Sequence, residues 1–108
     1  MANTFKLKTK ANVGVSTSNV YVVPSATTTV VIGVTLANTT GSSINVGVGV
    51  TRASSDDFKL MKNVPIPQGS SFEFMAGNKV VLETTDTLTA ESDVSNSLDV
   101  ALTIMEIT

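Results

Sequence analysis

Hydrophobic and polar positions alternate with a period of two along most of the chain. The clearest stretch is TTTVVIGVTLANTTGSSINVGVGVTR, Thr27 to Arg52. Val30, Ile32, Val34 and Leu36 alternate with Val31, Gly33, Thr35 and Ala37. After a turn-rich break at Asn38-Thr39-Thr40-Gly41, Ile44, Val46, Val48 and Val50 alternate with Asn45, Gly47, Gly49 and Thr51. Successive strand side chains point to opposite faces, so this pattern predicts a long β-hairpin with one buried face and one small, polar face.

The rest of the chain is written the same way. In Thr4–Lys8, Phe5 and Leu7 alternate with Lys6 and Lys8, and a short second element is expected through Val13 and Val15. A strand over Asn19–Val23 ends at Pro24, because proline cannot donate to a ladder. Asp56–Lys62 carries Phe58 and Leu60, and Pro67-Gln68-Gly69 reads as a type II turn with proline in its second position. Ser71–Met75 places Phe72 and Phe74 on one face. Gly77-Asn78 reads as a hairpin-type turn, followed by short strands at Val80–Thr84 and Thr87–Glu91. Ser97–Ile107 closes the chain with Leu98, Val100, Leu102 and Ile104 facing inward. These make about eight strands with turn signals every ~8–12 residues and no helical period. The expectation is a single all-β domain over residues 1–108, an antiparallel β-sandwich of jelly-roll-like type.

After Ile104 the alternation shifts, with Met105 and Ile107 apolar around Glu106. This predicts a bulge or an end buried on both faces, and it makes Met105 and Ile107 candidates for contact with a neighbouring subunit.

Composition narrows the chemistry. Apolar residues make up 42% of the chain, enough for one core, and valine and threonine, both β-branched, are abundant. There is no cysteine, hence no disulfide and no thiolate metal site; there is no histidine, hence no Ser–His or Cys–His nucleophile. No enzymatic activity and no cofactor are expected. The aromatic set is Phe5, Tyr21, Phe58, Phe72 and Phe74, too sparse for a stacking platform. Met1 to Lys10 lacks the apolar core of a signal peptide, and no apolar run nears the ~20 residues of a spanning helix. Synthesis in a cytoplasm and no membrane partner are the expectations.

The formal net charge is −2, but it is unevenly distributed. Residues 1–62 carry a balance of +4, 63–82 are neutral, and 83–108 carry −6 with no basic residue. Lys6, Lys8 and Lys10 fall on one face of an extended strand. They read as protection of an edge strand, as a strip for an acidic protein partner, or as a phosphate contact, which no interleaved arginine or aromatic supports. Gly47 and Gly49 lie on an outward face, where glycine marks close approach of a backbone: either a subunit contact or a local bulge within the monomer. The acidic pairs Asp56-Asp57, Glu83 with Asp86, and Glu91 with Asp93 read as solvated loop acids rather than a glycosidase pair. Asp93-Val94-Ser95-Asn96 is a faint echo of a calcium loop. The threonines Thr27, Thr29, Thr35, Thr39, Thr40 and Thr51 read as strand formers, without the strict Thr-x-Thr ladder of an ice-binding face.

Several phrases together resemble small virion structural proteins of tailed bacteriophages, particularly those of marine and cyanobacterial phages. They are VYVVP (Val20–Pro24), VTLANTTGSSINV (Val34–Val46), PIPQGSSFEF (Pro65–Phe74), GNKVVLETTDTL (Gly77–Leu88) and SLDVALTIMEIT (Ser97–Thr108). Each is a common strand–turn phrase; their order is more specific, and together they cover residues 4–108. The resemblance implies a non-enzymatic β-sandwich present in many copies on a virion, with no catalytic residues to carry over. The function expected is capsid decoration or cementing through the major capsid protein or other virion proteins, with homo-oligomeric or lattice contacts and no nucleic acid bound. A neck, tail or baseplate module is the alternative, and a carbohydrate-binding host-attachment module a third.

Overall fold

The computed structural model describes residues 3–52, 57–74 and 80–108. Among these residues nine strands are formed: β1 (Asn3–Val13), β2 (Ser18–Val22), β3 (Thr28–Asn38), β4 (Ile44–Thr51), β5 (Phe58–Ile66), β6 (Ser71–Phe74), β7 (Val80–Leu82), β8 (Thr87–Ser92) and β9 (Leu98–Ile107). They build two antiparallel sheets. Sheet A has the order β1-β9-β3-β6, with β7 also paired to β3, and sheet B has the order β2-β8-β4-β5.

β6 and β7 run in the same direction along one edge of β3, β6 opposite residues 34–37 and β7 opposite 29–31. They therefore fill one strand position in two pieces. With eight positions, the chain crosses between sheets at most connections, and the strand order is that of a jelly roll. The turn expected at Gly77-Asn78 lies outside the described residues, but the strands flanking it are not arms of one hairpin.

The long hairpin expected over Thr27 to Arg52 does not form. Both strands exist, yet β3 belongs to sheet A and β4 to sheet B. Alternation fixes which residues are extended and which side is buried; it does not choose the partner strand. The crossing is organised by Asn38, which is buried. Its amide nitrogen donates to the carbonyls of Ser42 (2.7 Å), Ile66 (3.0 Å) and Pro67 (3.2 Å), and its oxygen accepts from the Thr40 amide (2.9 Å) and hydroxyl (2.8 Å). These bonds tie the β3–β4 corner to the end of β5. Nearby, Ser70 N–H reaches the Pro67 carbonyl and Gly69 adopts φ +65°, so proline occupies the first place of that turn rather than the second.

The inner rows interdigitate between the sheets. Leu98, Val100, Leu102 and Ile104 of β9 are buried, as are Ile44, Val46, Val48 and Val50 of β4 and Leu88 and Ala90 of β8. Burying a side chain such as Leu102 stabilises the fold by ~1.5–3 kcal/mol relative to exposure. In β3 the inward parity changes midway. Val31 faces Ile104 and Val34 faces Leu102, with a bulge at Ile32 between them. One extra residue inverts the alternation, so Val31 is in the core and Val30 is not.

β1 is longer than expected. It absorbs Val13, across a register shift between Lys10 and Val13 where Asn12 adopts φ 59° and its N–H donates to Asp99 Oδ1 (3.0 Å). Val15 lies in the turn that follows and is exposed.

Candidate functional site

The register of β1 on β9 decides where the three lysines go. Lys6 is opposite Ile104, Lys8 opposite Leu102 and Lys10 opposite Val100. Directly opposed residues share a face, so all three lysines lie on the core side of sheet A, at its edge. The apolar residues Phe5 and Leu7 lie on the outer side.

Lys6 is held there by Glu106. Its Nζ is 2.8 Å from Glu106 Oε1, and Tyr21 Oη donates to Glu106 Oε2 at 2.5 Å. Thr29 Oγ1 lies 2.8 Å from Tyr21 Oη; with the phenol proton already given to Glu106, the threonine hydroxyl donates. Glu106, Tyr21 and Thr29 are all buried. The hydrogen bonds from Lys6 and then Tyr21 hold the Glu106 carboxyl below the usual carboxylate range despite its burial. Burial, and then the hydrogen bond to Glu106, push the Tyr21 phenol up to about 12. Glu106 is thus the inward residue that follows Ile104. The alternation in β9 continues to Ile107 without a bulge, and Met105 and Ile107 face outward, half-buried. The cluster links β1 and β9 of sheet A to β2 of sheet B with every polar side-chain group engaged.

The outer side of sheet A is a row of apolar residues lying across the strands. Val81 of β7 is opposite Val30 of β3, Val30 is opposite Met105 of β9, and Met105 is opposite Phe5 of β1. One step along lie Leu7, Thr103 and Gly33, and on the other side Asn3, Ile107 and Thr28. Phe5, Leu7 and Val81 are 68%, 66% and 59% exposed. Among the described residues the only charged side chains in register on this side are Asp99 and Glu73, both toward the far end, opposite Ala37 and Thr35.

The outer side of sheet B is finished differently. Gly47 and Gly49 are buried. A Cβ on Gly49 would stand 3.0 Å from the Phe58 carbonyl oxygen and 3.1 Å from Lys59 Cδ; one on Gly47 would meet the Met61 carbonyl and Glu91 Oε1 at 3.4 Å. The close approach that these glycines permit is made by the chain's own β5, whose register on β4 shifts twice here. Lys59 Nζ and Glu91 Oε1 form an ion pair at 3.2 Å above them. Two shallow grooves result. One of about 300 Å³ is lined by Gly49, Thr51, Asp57, Phe58, Lys59 and Thr89, and one of about 260 Å³ by Gly47, Lys62, Asn63, Glu91 and Asp93 among others.

The acidic pairs are not all solvated. Asp86 is buried, accepts the Glu83 N–H (2.9 Å) and pairs with Arg52 Nε (3.3 Å), while Arg52 Nη2 also meets Glu83. This cluster joins the end of β4 to the β7–β8 turn. Asp93 Oδ1 accepts the Asn45 N–H at 3.0 Å. Asp56 lies outside the described residues. Among those described, no three metal-ligating side chains converge, and no buried side-chain polar atom lacks a partner.

No protein-family model and no curated protein matches the sequence. Among solved structures, the fold is similar to one from Bacillus endospore appendages, a family of disulfide-linked pili. The match covers 99% of this chain and 87% of that one at 12% identity, with a TM-score of 0.60.

Proposed function

We propose that this chain is a non-enzymatic structural subunit that acts in many copies within a larger protein assembly. The supporting observation is the outer side of sheet A, where Phe5, Leu7, Met105, Val30 and Val81 form one continuous uncharged surface. Exposed apolar residues scattered singly need no explanation; a contiguous row across four strands marks a surface made to be covered. The assembly favoured by the sequence phrases is a bacteriophage virion, with the chain decorating the head through the major capsid protein. Placement at the neck, tail or baseplate is the alternative within that reading.

A second reading has its own support. The structural neighbour is part of a pilus, so a fibre subunit is the other assembly to consider. This chain has no cysteine, so a fibre built from it would hold without disulfides.

Immunogold labelling and quantitative mass spectrometry on intact particles from the producing cells separate these. Head decoration predicts label over the whole head and a fixed ratio to capsid protein. A neck or tail module predicts label at one end, and a fibre subunit predicts filaments that survive reducing agent. A chain found only as free monomer, absent from every particle and filament, overturns the multicopy reading.

A further inference from the structure

We infer that the outer side of sheet A packs face to face on the same side of a second copy of this chain, giving a two-fold dimer as the repeating contact. This rests on the multicopy reading and names the surface that such an assembly would use.

Two routes join β-sandwiches: edge to edge through unpaired backbone, or face to face through side chains. β1 is one edge of sheet A, and β6 with β7 forms the other. Its core-side positions hold Lys6, Lys8 and Lys10. Charged residues turned inward on an edge strand oppose the addition of another strand, because a flat continuation would bury them. The β1 edge is guarded, and the face beside it is open.

The face is also suited to meeting itself. An isologous contact brings each residue near its own twin or near another residue of the same patch, so charges of one sign would oppose each other. From Asn3 to Thr9 on β1, and opposite them on β9, β3 and β7, the described outward positions are Asn, Thr, Ala, Gly, Val, Leu, Ile, Met and Phe. Asp99 and Glu73 stay at one end, where they form a polar rim. Nine residues of strand at ~3.4 Å each, by four strand positions ~4.8 Å apart with β6 and β7 sharing the fourth, give a footprint of ~500–600 Å² when the polar rim is included. Two such faces bury ~1,000–1,200 Å², the lower bound for a specific protein–protein contact. Twisted sheets that pack this way sit ~10 Å apart with their strands about 30° from parallel.

The test is sedimentation velocity on the full chain across a micromolar concentration series, with circular dichroism as a check of folding. The wild type is expected to show a reversible dimer. Phe5→Lys and Leu7→Lys are each expected to weaken it about 30-fold, because each removes an apolar anchor and sets a charge against the apolar face of the partner, with unchanged circular dichroism. Val15→Lys, exposed but in the turn beyond β1, leaves the dimer intact. Cross-linking of the Thr103→Cys variant to its twin, in a chain with no other cysteine, reads the face directly. A dimer that survives both lysine variants uses another surface; it overturns this inference and leaves the multicopy reading standing. A chain that stays monomeric at every concentration also overturns the inference, and its presence or absence in purified particles then decides the multicopy reading separately.

Discussion

On sheet B the outward side of Gly47 and Gly49 lies beneath the Lys59–Glu91 pair, whereas on sheet A the outward sides of Phe5 and Leu7 face solvent. Both faces belong to one sandwich with one core, so the core does not explain the difference. Sheet B closes its own surface: the space beside each glycine is filled by β5 backbone and by the stems of a long charged pair. Sheet A does the reverse. It turns its lysines inward to a buried carboxylate and leaves its apolar row outside. A face completed by its own side chains has little to gain from a partner; an uncharged apolar face has much to gain.

Two glycine substitutions break this comparison most sharply. Gly49→Val forces a branched side chain against the Phe58 carbonyl and the Lys59 stem. Overpacking against backbone is expected to cost about 2–3 kcal/mol. At Gly33, on the outer side of sheet A, an added Cβ would meet nothing within 4 Å. Gly33→Val is therefore expected to leave stability within about 1 kcal/mol of wild type. Urea unfolding of both variants checks the contrast, and equal losses would show that the two faces are not differently filled.

The inward lysine arrangement is tested next. Glu106→Ala strips Lys6 and Tyr21 of their shared acceptor and is expected to cost about 2 kcal/mol, with Lys6 partly relieved by water. Its pH dependence has two limbs. The folded Glu106 carboxyl titrates below its unfolded value of 4.5, so its contribution is full above that pH and is lost as pH falls through the lower folded value. Tyr21 titrates at about 12 against 10.0 unfolded. Between those values the unfolded chain has lost a proton that the folded chain keeps, so stability is full below pH 10.0 and falls as pH rises towards 12. Tyr21 is the sole tyrosine and there is no tryptophan, so tyrosinate absorbance reads this site alone. A folded midpoint near 10 would show that the phenol is not engaged as described. In Glu106→Gln the acid limb should flatten.

Sheet A also marks the limit of what the sequence made legible. Strand existence followed from β-branched alternation, and the inward rows of β4 and β9 followed from parity. Partner choice did not. The β3–β4 corner has the turn residues of a hairpin, and only the strand pairings, with the bonds of Asn38 to Ile66 and Pro67, show that it crosses sheets. In β3 a single inserted residue, Ile32, reversed the parity. At Glu106 parity was the right guide and polarity misled: a charge in the inward position looked like the end of the pattern, although Lys6, the residue that neutralises it, stands on a strand of matching alternation. The lysines of β1 were correctly placed on one face. Which face required the register on β9, because an edge strand can turn either side to the core.

The smallest expected effect lies in the roof of sheet B. Lys59 and Glu91 are both partly exposed, and an ion pair in that setting contributes ~0.2–1 kcal/mol, less in salt. A double-mutant cycle of Lys59→Ala, Glu91→Ala and the pair should give a coupling of about 0.5 kcal/mol that declines towards zero at molar salt. Losing the stems uncovers Gly47 and Gly49, but the β5 backbone still borders them and the charged Asp57, Lys62 and Asp93 remain in their grooves. The double variant should therefore sediment as the wild type does. If stripping the roof created a new association, sheet B would be as ready for a partner as sheet A, and the charged pair, not the close packing of β5, would be what keeps that face apart.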